Sequence, residues 1–280
     1  MARSREEQEL SEHFADEYRR AQTPVMLDLE RAVCGCDYGG TSWTTREEAE
    51  RMGRLLDLAE GKRLLEIGAG SGWPALFLAG ETGCDATLAD VPHEALRIAA
   101  DRVASEPVGG KISLTVADAA CLPFKSDLFD AVGHSDVLCC LAPKRRVLIE
   151  CRRVIRRGGK MVFTVISVSP NLSRADYARA VDSSPPFVEA ECEYPELLEK
   201  TGWKIIERMD VSAAYEETGR RHIREVEARA DEISELLGET GLTEMLAKRQ
   251  RNVESVADGI VRRDLFVASS FGVDVRPTTD

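Results

Sequence analysis

Leu64-Leu65-Glu66-Ile67-Gly68-Ala69-Gly70-Ser71-Gly72-Trp73-Pro74 is the stretch on which the reading of this chain turns. A short apolar strand carrying one acid runs straight into a tight Gly-x-Gly-x-Gly turn. A helix is expected to open at Trp73-Pro74, with proline in the first turn, where its missing N–H does no harm. Glycines at alternate positions let the backbone turn sharply and approach a ligand with no Cβ in the way. The helix N-terminus behind them offers free N–H groups and partial positive charge. The stretch reads as a ligand cradle.

A dinucleotide fingerprint would run Gly-x-Gly-x-x-Gly and seat a pyrophosphate over the helix start. Here the third glycine comes one residue early, and Glu66 lies just ahead of the first. A carboxylate at that mouth repels a pyrophosphate but pairs with an ammonium group. A nicotinamide-dependent oxidoreductase is therefore opposed by both the spacing and the acid.

Downstream, Asp85 to Asp90 is expected as a second strand with an acid at its end. Asp90 follows Gly68 by 22 residues, the separation of a carboxylate that bonds ribose hydroxyls. It would serve equally as N-cap of a helix over 93–105. A third strand, 111–116, leads to Asp118. An acceptor there suits an adenine amino group, which is a donor, or the aspartate caps its own turn. Phe129 to Asp136 is expected as a fourth strand, placing His134, Ser135 and Asp136 at its polar end. Helix 143–157, stopped by Gly158-Gly159, and strand 160–166 follow.

The cradle with Glu66, the run Asp118-Ala119-x-x-Leu122-Pro123-Phe124, the Phe129-Asp130-Ala131-Val132 that follows it, and Arg152 to Lys160 together resemble the class I S-adenosylmethionine (SAM)-dependent methyltransferases. The resemblance is nearest to small-molecule enzymes of the ubiquinone and menaquinone type. It covers residues 60–168 by motif and 194–271 by pattern. It implies an α/β three-layer sandwich with a seven-stranded, mostly parallel, Rossmann-like sheet whose last strand is antiparallel. SAM would lie across the ends of the first two strands, with Glu66 facing its methionine end. Gly68, Ala69, Gly70, Gly72, Asp90, Val91, Asp118, Ala119 and His134 would line the rest.

Residues 1–60 are expected as an N-terminal helical cap, with Leu10, Phe14 and Tyr18, then Val25, Met26 and Leu29, as apolar stripes of helices on either side of Pro24 and a capping box at Thr45-Arg46-Glu47-Glu48. That helix is expected to run to Gly61. In such a cap Tyr38, Thr41 and Trp43 would lie near the cofactor, or serve only as packing around a glycine-rich hinge. The core is expected over 61–215 and 261–272, with a sixth strand at 203–211 and a seventh at 262–271. Residues 216–260 carry two apolar helical faces parted at Gly241, the second including Arg249, and read as a helical lid inserted between those strands. Residues 169–193 read as a polar excursion. Its Ser184-Pro185-Pro186-Phe187 matches the tetrapeptide of amino-group methyltransferases acting on nucleic acids. That motif belongs after the fourth strand, so here it reads as coincidence.

The reaction implied is in-line transfer of the sulfonium methyl to an O, N or C nucleophile, driven mainly by proximity and alignment. His134 is the candidate general base, its ordinary pKa being near neutrality, and is otherwise a packing or cofactor-positioning residue. Asp136, Tyr177, Tyr215 and His222 are candidates for the acceptor pocket, with Asp136 a second catalytic candidate. A non-catalytic SAM-binding subunit would retain the same acids and is the alternative.

Composition narrows the partners. The 280 residues carry 37 basic and 49 acidic side chains, a net charge of −12, with 43% hydrophobic and 31% charged residues. Nucleic acid is disfavoured on charge, and a small molecule is the expected acceptor. Met1 to Glu7 lacks the apolar core of a signal peptide, and no run approaches the ~18 apolar residues of a membrane span. The chain therefore reads as cytoplasmic, monomeric or homodimeric. Its eight cysteines lack metal-ligand spacing and read as reduced packing residues, with no metal expected.

Overall fold

The computed structural model describes residues 5–106 and 108–270. The expectations for Met1 to Ser4, and for strand or core beyond Ser270, lie outside the described residues. Three helices open the chain: α1 (Arg5–Ala21), α2 (Pro24–Cys34) and α3 (Arg46–Leu55). Proline begins α2, where no helical N–H is required, and Gly35 ends it in the left-handed region at φ 75°. Helix α3 stops six residues short of Gly61.

Seven strands form one sheet: β1 (Arg63–Ile67), β2 (Asp85–Asp90), β3 (Ile112–Val116), β4 (Phe129–Ser135), β5 (Ile155–Val168), β6 (Lys204–Asp210) and β7 (Val261–Ser269). Their order is β3-β2-β1-β4-β5-β7-β6. The first five pair in parallel, and β7 runs antiparallel to both its neighbours. Helices α4 (Ala75–Thr82) and α5 (His93–Ser105) link β1 to β2 and β2 to β3, and α6 (Lys144–Val154) links β4 to β5. The near-continuous burial of β1, β4, β5 and β7 follows from helices covering both faces.

One face of the sheet packs Leu64, Leu88, Ala131, Val162 and Leu265 against α3, α4 and α5. The other packs Leu65, Ile67, Val132, Phe163 and Phe266 against α6 and, further on, α7 (Arg174–Asp182) and α8 (Tyr194–Lys200). The sequence reading differs here in two places. Helix α6 ends at Val154, because Ile155 already pairs with Phe129; the register then jumps to Ala131 opposite Lys160. Gly159 is thereby packed into the bulge, where a Cβ would lie 2.8 Å from the Asp130 carbonyl. Helix α7 was not legible, since only Ala180 of it is buried and no apolar stripe results. Its signal was the cap: Ser173 Oγ accepts the Asp176 N–H at 3.1 Å.

Between β6 and β7 stand α9 (Ser212–Ala228) and α10 (Ala230–Ala257), four residues earlier in onset than expected. The bend in α10 falls at Gly238, with φ 74° and ψ 161°, and not at Gly241, which stays helical. No helix among the described residues is long and apolar enough to cross a membrane.

Candidate active site

The glycine turn is built on left-handed backbone. Gly68 and Gly70 have φ of 60° and 55°. A Cβ at Gly68 would come within 2.4 Å of Val137, and one at Gly70 within 2.4 Å of the Tyr18 hydroxyl. Neither position admits a side chain. Gly72 lies at φ 105°, and helix α4 starts at Ala75 with Pro74 as its cap, one residue later than the sequence suggests.

Glu66 is the penultimate residue of β1, on the face shared with α3 and α4. It is 1% exposed, and its Oε2 is sealed from water with no hydrogen-bond partner. Burial pushes its carboxyl up to about 8. A Cβ at Gly133, its register partner on β4, would meet Oε2 at 2.7 Å, so glycine there leaves room for the carboxylate. An orphaned buried acceptor at the mouth of a glycine turn fits a cofactor bearing an ammonium group. It does not fit a pyrophosphate.

The other two acids sit at strand ends as expected, but each also does local work. Asp90 accepts from Gly70 N–H at 2.7 Å and from Val91 N–H at 2.7 Å, so it holds the cradle to the end of β2. Asp118 accepts from Ala120 N–H at 2.8 Å, the turn-capping arrangement. Ala69 and Ala119 take their places from these turns, Ala69 N–H reaching the Ala89 carbonyl.

Above the turn lies a residue that sequence reasoning passed over as one of a helical stripe. Tyr18 of α1 is buried, and its hydroxyl stands over Gly70, receiving a bond from Thr41 Oγ1 at 3.3 Å. Burial and the nearby Asp90 charge keep the phenol protonated. The linker after α2 continues across the cradle: Trp73 Nε1–H donates to the Thr44 carbonyl at 2.8 Å. Tyr38 docks beside Trp73, ring centroids 5.2 Å apart, under the Arg102 guanidinium.

The catalytic candidates are placed otherwise than the sequence suggests. Glu66 opposes Gly133, so side-chain alternation along β4 puts His134 on the opposite face of the sheet from Glu66. There it is fully buried, stacked on Phe163 at 4.6 Å, with neither ring nitrogen bonded. Burial drives its pKa down to about 3. An imidazole sealed among apolar rings is not placed to take a substrate proton. Asp136, at φ 55°, is held by Arg263, whose Nε donates to both carboxylate oxygens. Arg263 also donates to Glu48 at 2.8 and 2.9 Å and to Thr164 at 3.1 Å. Half of the expected capping box therefore forms: Thr45 Oγ1 accepts the Glu48 N–H, but the Glu48 carboxylate turns to Arg263.

Of the acceptor-pocket candidates, Tyr177 stands on the surface, 42% exposed, with its hydroxyl on Glu189. Tyr215 and His222 do converge, both edge-on to Trp43 at 6.1 and 5.4 Å. Arg249 of α10 lies over the same indole at 3.4 Å. A basic residue on the apolar face of a helix was the available signal for it. Ser184-Pro185-Pro186-Phe187 follows α7, where the preceding Ser183 carbonyl and the Phe187 carbonyl take bonds from Asn252 and Lys144. Among the described residues no cluster of metal-ligating side chains occurs.

A β3-β2-β1-β4-β5-β7-β6 sheet with a reversed penultimate strand, a glycine turn after β1, an acid one residue before the end of β1 and another ending β2 defines the class I, SAM-dependent methyltransferase fold. SAM is the cofactor of that class. Residues 65–163 match the family described as methyltransferase domain. The chain is 34% identical to the methyltransferase GfsG of Streptomyces halstedii over 176 residues, 61% of this chain and 63% of that one. It thus spans less than two thirds of the length of the first curated relatives it matches. A phosphoethanolamine N-methyltransferase of Haemonchus contortus, solved with S-adenosylhomocysteine, superposes with a TM-score of 0.75 at 20% identity, covering 91% of this chain and 59% of that one. The [4+2]-cyclase SpnF superposes with a TM-score of 0.68 at 22% identity, covering 89% and 92%.

Proposed function

We propose that the protein transfers the sulfonium methyl group of SAM to an O, N or C nucleophile on a small molecule. The observation that carries this is Glu66, a buried carboxylate with an unbonded oxygen at the mouth of a glycine turn. An ammonium group completes it, and a nicotinamide dinucleotide does not. When bound, SAM supplies a methyl group already activated by the positive sulfur, so the chain need only bind, orient and exclude water. In this reading Asp90 takes the ribose hydroxyls, Asp118 the adenine amino group, and Gly68 to Gly72 the amino-acid portion. Residues 5–60 form the cap and 212–260 the lid, which meet at Trp43. The transfer uses no general base from β4.

Several features support a small acceptor in the cytoplasm over a polymeric one. The net charge of −12 does not draw in nucleic acid, and all eight cysteines are free thiols, five of them buried. The likeness to a cyclase makes the reaction itself worth testing, since a fold of this kind does not fix the chemistry. Calorimetric titration with SAM, S-adenosylhomocysteine and NAD is the first experiment. Micromolar binding of the first two and none of the third is expected; NAD binding alone would overturn the cofactor assignment. Methyl release to no acceptor, across a panel of small phenols, amines and carboxylates, would leave a SAM-binding protein without transferase activity.

A further inference from the structure

Arg263 is drawn fully into this protein and Arg249 in part, and the two are treated differently. Arg263 is held between two carboxylates, Asp136 and Glu48. Arg249 has none: among the described residues no acid pairs with it. Its Nη1 donates to the Asn252 side-chain oxygen at 3.1 Å and to the Tyr215 hydroxyl at 3.4 Å, both neutral. Its Nε is sealed from water and unbonded. The Trp43 ring beneath it is attractive but does not neutralise it. Beside it the Nδ1 of His222 is likewise sealed and unbonded, and burial together with the Arg249 charge keeps that imidazole neutral.

A guanidinium partly withdrawn from water, with no counter-ion and one N–H unbonded, is costly unless an anion meets it. The planar fork of arginine suits a carboxylate or phosphate, two oxygens at a time. The place is also the right one. Trp43 precedes Thr44, whose carbonyl anchors Trp73 beside the cradle, and His222 and Arg249 come from the two helices proposed as the lid. In a chain of net charge −12 this cation is what would bring an acidic acceptor in.

We propose that Arg249, with His222 beside it, anchors an oxyanion, carboxylate or phosphate, carried by the methyl acceptor. The inference rests on the methyltransferase reading and narrows its substrate class to small-molecule acids. The guanidinium fixes one end of the acceptor between cap and lid and leaves the nucleophile free to face the cofactor.

The test is calorimetric titration of the full chain, alone and saturated with S-adenosylhomocysteine, against sodium phosphate and sodium acetate at constant ionic strength. Saturable millimolar binding of one or both is expected, the tighter of the two giving the acid type. Arg249→Gln is expected to weaken it by about tenfold or more, the scale of losing a charge-assisted pair. Should that variant fail to fold, Arg249→Lys replaces it: loss of the fork should weaken binding about threefold, and unchanged affinity overturns the proposal. Absence of saturable binding to the wild type, or equal binding to Arg249→Gln, also overturns it. Failure to bind S-adenosylhomocysteine would instead strike the methyltransferase reading, and the titration of the unliganded chain would still decide the role of Arg249.

Discussion

Arg263 on β7 donates from Nε to Asp136 at the end of β4, at 2.9 and 3.0 Å, across a separation of 127 residues. The same guanidinium reaches Glu48 in α3, so one buried cation joins the sheet to the helical cap. Two carboxylates around one guanidinium leave a buried excess of negative charge once the cation is removed. Arg263→Ala should therefore cost about 3–5 kcal/mol, as breaking buried ion networks does. Chemical denaturation reads it, and a loss below 1 kcal/mol would show the network to be idle. Glu48→Gln, which keeps an acceptor and restores a one-to-one pair, should cost far less.

Glu66 makes cofactor binding a proton-linked event. Its folded pKa, about 8, lies above the ordinary carboxylate value, so its stabilising contribution is complete below about 4.5 and is lost as pH rises through 8. The unliganded protein should become less stable across that window, and Glu66→Gln should flatten the trend. An ammonium partner ionises the acid, so SAM binding near pH 7 should release close to one proton. Calorimetry in buffers of different ionisation heat measures that proton, and none released would remove the ammonium pairing.

His134 should be dispensable for transfer. Replacing it with leucine removes two unbonded buried nitrogens and should leave stability unchanged or raise it by about 1 kcal/mol. Its folded pKa is depressed to about 3, so its contribution holds above about 6.5 and is lost as pH falls towards 3. His134→Leu should accordingly blunt acid unfolding in that range. A folded variant with transfer lowered a hundredfold would restore the imidazole as base.

Asp90→Ala should weaken SAM binding by about 1–3 kcal/mol, the scale of losing hydrogen bonds to a charged acceptor. Because Asp90 also holds Gly70, the melting temperature of the unliganded variant should fall as well. Unchanged affinity in a folded variant would strip Asp90 of its ribose role.

Sequence carried the sheet and the cradle because both are local: strand periodicity, glycine spacing and acids at strand ends are written within a few residues. Asp85–Asp90 and His93–Ser105 emerge with the expected bounds for that reason. What stayed hidden depends on partners far away in the chain. Nothing near His134 announces that Phe163 covers it, and nothing near Asp136 announces Arg263. Tyr18 looked like one more residue of an amphipathic stripe until Gly70 was found beneath its hydroxyl. Arg249 on an apolar helical face was visible, but its lack of a counter-ion is a fact of packing.

The place of β7 has a consequence for how the protein is made. The strand that sits between β5 and β6 is synthesised after the other six strands of the sheet, so a growing chain can hold β6 nowhere in the sheet until Val261–Ser269 emerges. Until then the β5 edge stays open for pairing with another chain, and Asp136 and Glu48 wait without their cation. Completion of the seven-stranded sheet is thus gated by β7, and a chain interrupted ahead of residue 261 is left as five parallel strands with an open β5 edge.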